Sequence, residues 1–174
     1  MPNLKSVEHL PMDHTSLLAS ILVRYPEIGS VKVLPDSRSM RLCFFLKDSP
    51  ELEHMDKFSL LIEDSIQVLV TVNRKTPVTF NLSVSNQDNI YVIELVRDIH
   101  TITLEEISLI ASLMRQYFPN ALLYDGEDIN AEEGAWYDEF IQHMLEDIGQ
   151  ATFLPELIGF REDNRVLVFD KSVV

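Results

Sequence analysis

The sequence predicts an α+β fold: two β-hairpin–helix (ββα) units forming a largely antiparallel sheet packed by helices, with an N-terminal helix, a C-terminal acidic helix and a closing hairpin. Three observations carry this. Apolar residues alternate with others over 31–46 and again over 77–97, the period of half-buried strands. Each of these stretches is followed by an amphipathic pattern of helical period with a start signal. Turn residues separate the runs, and no low-complexity linker interrupts them.

The first helix is predicted from Asp13 to Tyr25. Asp13 caps it, Leu17, Leu18, Ile21 and Leu22 form its stripe, and Pro26 and Gly29 end it. A hairpin follows, with Val31 and Val33 in one strand and Met40, Leu42, Phe44 and Leu46 in the other, joined through Pro35-Asp36-Ser37. Ser49-Pro50 resembles a cap with proline at the first helical position. From there one long helix reaches about Val72. The alternative is a break near Asp64 and a strand over 65–73, because Ile66, Val68, Val70 and Val72 alternate and are β-branched.

The second hairpin is predicted from Pro77 to Ser85 and from Ile90 to Arg97, with Asn86-Gln87-Asp88-Asn89 as its loop. Thr103 and Glu106 form a capping box for a helix ending at Phe118 before Pro119. With an offset of fifty, Leu42-Cys43 matches Val92-Ile93 and Leu46-Lys47-Asp48 matches Val96-Arg97-Asp98. A shared ββα plan is the safer reading of that likeness, and duplication the bolder one. A short strand, Ala121 to Tyr124, precedes Asp125-Gly126. In the last helix Asn130 is the cap, Glu133 completes a capping box, and Gly149 stands where a C-terminal glycine belongs. Trp136, Phe140, Met144 and Ile148, with Ile141 and Leu145, are its expected buried stripe. Gly159-Phe160, a turn at Glu162-Asp163-Asn164 and Val166 to Phe169 give the closing hairpin.

A chain of 174 residues suggests one domain over 1–174, with 1–12 expected to be flexible. Hydrophobic residues make up 46%, enough to fill a core and exclude disorder for its bulk. Cys43 is the only cysteine, so no intramolecular disulfide forms. The first residues lack the apolar run of a secretory signal, and no stretch approaches the ~20 apolar residues of a spanning helix. The expected location is cytoplasmic, with no membrane partner.

Net charge is −14, and it is unevenly distributed. No Lys or Arg lies between Arg115 and Arg161, a stretch holding ten acids. Such a surface repels phosphate backbones, so nucleic acid is not an expected partner. It suits a basic protein or a cation, although acidity alone also favours solubility.

The five glycines are too scattered for a P-loop or a dinucleotide fingerprint, and no nucleophile-elbow serine is present. Cys43 sits mid-strand among apolar residues and reads as a buried structural thiol. Asp125, Glu127 and Asp128 crowd a strand-to-helix loop and are the weak candidates for a divalent-metal site, which takes oxygen ligands. A calcium loop counted from Asp128 is excluded, because its glycine falls one place late at Gly134. Glu51 and His54 have the spacing of a di-iron helix but no second copy. On the last helix Glu139, Glu146 and Asp147 lie within one turn of His143 and favour its charged form. A solvated acidic helix is the bland reading of the same four residues. Yet Glu146 and Asp147 oppose the helix dipole, at about 0.3–1 kcal/mol each. The expectation is a non-catalytic interaction or regulatory module. Its acidic face, Glu139, His143, Glu146 and Asp147, would meet a basic protein, or the chain would self-associate through an apolar sheet face. The alternatives are a metal-dependent enzyme with ligands in the 125–128 loop and a small-molecule sensor.

Overall fold

The computed structural model describes residues 14–73, 79–124 and 129–171. Among the described residues, four helices and a seven-stranded antiparallel sheet make an α+β fold. In chain order the elements are α1 (His14–Arg24), β1 (Ser30–Leu34), β2 (Ser39–Leu46), α2 (Leu52–Val72), β3 (Phe80–Gln87), β4 (Ile90–Asp98), α3 (Leu104–Tyr117), β5 (Leu122–Leu123), α4 (Ala131–Gln150), β6 (Leu157–Glu162) and β7 (Arg165–Asp170). Strand order is β3-β4-β2-β1-β6-β7, and β5 pairs β2 just beyond the end of β1. The expected cap Asp13 and residues 1–12 lie outside the described residues.

Alternation puts Val31, Val33, Met40, Leu42, Phe44, Leu46, Ile93 and Leu95 on one face, all but sealed from solvent. All four helices bury residues in the same cluster. Cys43 and Val92 point to the opposite face and are buried outside that cluster. Arg161 donates to the carbonyls of Leu22 (2.7 Å) and Ile28 (2.9 Å), so a cation satisfies a free acceptor at the end of α1.

The long helix α2 is continuous to Val72, with Met55, Phe58, Ile62, Ile66 and Val70 buried at helical spacing. Val68 and Val72, which suggested a strand, face solvent. Its N-cap is Glu51, without a side-chain cap bond, so Ser49-Pro50 precedes the helix instead of starting it. The second hairpin has a two-residue turn. Asp88 (φ 52°) and Asn89 (φ 67°) take the left-handed region, and β3 therefore runs through Asn86 and Gln87. Two positive φ values match the twist of the flanking strands, and Asp and Asn tolerate them. Asp163 and Asn164 do the same in the closing hairpin.

The ββα plan recurs, but the register rejects the offset of fifty. Leu42 pairs with Leu95 and faces the core, whereas Val92 pairs with Phe45 on the other face. An even offset exchanges the faces of the sheet, so matched residues have opposite environments.

Gly149 lies inside α4 and is not its terminator; the C-cap is Ala151. A Cβ at Gly149 would stand 3.2 Å from the Ile99 carbonyl oxygen, so glycine there permits close approach of α4 to the segment after β4. The buried side of α4 is Tyr137, Ile141, Met144, Leu145 and Ile148. Trp136 and Phe140, expected in that stripe, lie at its margin. Trp136 is 38% exposed and stacks on Phe140, with centroids 5.5 Å apart.

Candidate functional site

The candidate site is the outward side of α4. Asn130 caps the helix by accepting a 2.9 Å bond from the Glu133 amide. The apolar side faces α1 and α3 and fixes the helix rotation. Glu132, Trp136, Glu139, His143 and Glu146 then form an exposed stripe, spaced alternately four and three residues apart. Trp136 is the only tryptophan in the chain.

Of the predicted face, the structure aligns Glu139, His143 and Glu146 on this stripe. Asp147 lies at its border and approaches His14 of α1, with Nε2 and Oδ2 3.4 Å apart. Glu139, Glu146 and Asp147 stay within one turn of His143 on the same helix, and His143 makes no hydrogen bond or ion pair with a described residue.

Asp138, two residues from Trp136, faces inward. Arg24 grips its carboxylate at 2.9 and 3.2 Å, and the Tyr25 hydroxyl donates at 3.4 Å. Burial, followed by the Asp138 charge, pushes the Tyr25 phenol up to about 12.

The strongest charged cluster lies elsewhere and has no sequence signature. Arg97 of β4 is 0% exposed and points into the core face opposite Met40. Its guanidinium contacts both Glu106 oxygens, Asp98, the Thr79 carbonyl (3.0 Å) and the Thr101 hydroxyl (3.1 Å). All five N–H groups are engaged. Burial pushes the Glu106 carboxyl above its usual range, and Arg97 opposes that shift. Thr103 accepts from the Glu106 amide as expected of a cap. The Glu106 side chain, however, serves Arg97. Full satisfaction marks this as a structural network joining β4 to α3.

The remaining candidates resolve simply. Asp125, Glu127 and Asp128 lie outside the described residues. Among the described residues no group of three or more His, Cys, Asp or Glu could hold a metal ion. His54 lies 2.8 Å from the Tyr117 carbonyl oxygen and against the Tyr117 and Phe118 rings, which locks α2 to α3. Burial, then the Glu94 charge, raises the Cys43 thiol to about 11, which leaves it a poor nucleophile. On the sheet face away from the core, Ile158, Phe160, Leu167 and Phe169 form an apolar patch, with Phe169 half exposed. Among the described residues no helix is long and apolar enough to cross a membrane.

Comparison with known proteins adds no assignment: no protein-family model, no curated protein and no solved structure matches the chain.

Proposed function

We propose that this protein is a non-catalytic interaction module that captures a basic segment of another protein on the outward stripe of α4. One observation carries the reading. Glu132, Glu139 and Glu146 flank the exposed Trp136 and have no ion-pair partner among the described residues, while acids facing inward are matched with arginines.

An unpaired acidic stripe with an aromatic centre is complementary to Arg- or Lys-rich sequence. The carboxylates steer the encounter, and a guanidinium can lie over the indole face. A large, partly exposed Trp is also the residue type that dominates binding energy when covered. Helix stability does not account for Glu146, which stands just before the last turn of α4, a turn with no basic residue.

The test is partner capture from cell extract with the wild type beside Glu139→Lys/Glu146→Lys. The wild type is expected to retain a basic protein that the double variant loses and that salt elutes. Retention by the double variant at the wild-type level would remove the acidic stripe from the account.

A further inference from the structure

A second docking site lies at the far side of the sheet and does not depend on α4. β3 is an edge strand, paired with β4 along all eight residues and with no described strand on its outer side. It contains no charged residue and no proline. Natural edge strands are usually blunted by lysine, proline, bulges or a covering element, because their free N–H and C=O groups accept a further strand. The opposite edge, β7, carries Arg165 and Asp170 at its ends and packs against α1. β3 has none of these protections among the described residues, and Val84 is 40% exposed.

Beside this edge, on the core side, is a cleft of about 360 Å³ under the first turns of α2. Pro50, Leu52, Met55, Leu82, Val84 and Tyr91 line it, and Leu52 is 78% exposed. Leu82 and Val84 point to this side because they pair with Leu95 and Ile93. A strand added to β3 therefore projects every second side chain toward the cleft. Asp56 forms part of the wall, and Glu63 follows two turns later on the same side of α2, both exposed.

We propose that β3 accepts, by strand addition, an extended segment of another protein whose same-side residues are apolar at the cleft and basic beside Asp56 and Glu63. The backbone supplies the hydrogen bonds, the cleft selects the apolar residues, and the two carboxylates select the charge. A second copy of this chain is disfavoured, because two-fold pairing of β3 with itself would bring Asp56 and Glu63 toward their own copies.

The experiment uses synthetic octapeptides, each prepared in both sequence orders. The main probe has valine at two alternate positions, lysine at the next two, and threonine between. One control replaces lysine by glutamate, and a second has the sequence of residues 80–87. Binding is followed by amide NMR shifts. The lysine probe is expected to bind saturably, to perturb residues 80–87, and to bind at least tenfold more tightly than either control. Val84→Lys, checked for an unchanged unfolding midpoint, should weaken it tenfold. Asp56→Lys, on an exposed helix surface, should weaken the lysine probe and strengthen the glutamate probe. Glu139→Lys/Glu146→Lys should leave all of this unchanged. Three results would each overturn the proposal: no saturable binding, equal affinity for the lysine and glutamate probes, or tighter binding of the 80–87 peptide.

Discussion

Glu106 and Glu139 are the same residue in opposite circumstances. Glu106 is 1% exposed, and both its oxygens accept from one edge of the Arg97 guanidinium, Nε–H and Nη2–H. Glu139 stands in solvent without a described partner. The contrast extends across the molecule. Arg24 meets Asp138, Arg115 meets Glu27, and Arg41 lies 3.8 Å from Glu94. Each of these pairs joins segments more than fifty residues apart in sequence. The outer stripe of α4 has none of this, although the chain carries 14 Lys and Arg residues. Inward acids hold the fold together, and Glu132, Glu139 and Glu146 of the outer α4 stripe have no ion-pair partner among the described residues.

That comparison can be broken most severely at the buried end. Glu106→Ala strands Arg97 in the core, and urea unfolding should show a loss of about 3–5 kcal/mol. Glu139→Ala should stay within about 0.5 kcal/mol of the wild type. Equal effects at the two sites would erase the distinction.

Alkali provides the next largest effect. The unfolded Tyr25 ionises near 10, whereas in the folded chain it is raised to about 12. The folded state therefore keeps a proton that the unfolded state loses. Stability from this group is complete below pH 10 and disappears as pH rises to 12, a change of about 2–3 kcal/mol. Tyr25→Phe should flatten that part of the curve of unfolding midpoint against pH. Cys43→Ser should flatten an earlier part, between pH 9 and 11.

The smallest effect has the opposite sign. Glu146→Lys places a cation next to the last turn of α4 and should raise stability by about 0.3–1 kcal/mol. Thermal unfolding at low salt checks it. A destabilised variant would mean that Glu146 has a structural partner after all. A stabilised variant that binds less well is what a binding residue kept against helix stability would give.

Much of the backbone was legible because local chemistry determined it. Asn130 with Glu133 and Thr103 with Glu106 set two helix starts, and alternation over 39–46 set the central strand. Other features depended on tertiary packing. The α4 stripe could be centred on Trp136 and Phe140 or on Tyr137 and Ile141, since both sets fit a period of 3.6. Contact with α1, where Tyr25 and Arg24 meet Asp138, chose the second. The same contact exposed Trp136, so the candidate site contains a residue expected in the core. The valines of α2 alternate like a strand only because two of them face water. Arg97 gave no signal, because an arginine in an alternating strand is ordinarily read as facing outward. Its partner, nine residues away, carries a plausible capping role that hides the ion pair.

The most direct measurement is a titration of the full chain with an arginine-rich peptide, read through the emission of Trp136. The single tryptophan lies within the proposed face, so its signal reports that face alone. The account predicts a saturable change that weakens with salt and is lost in Glu139→Lys/Glu146→Lys. An emission spectrum unmoved by the peptide, or moved equally in the double variant, would contradict it.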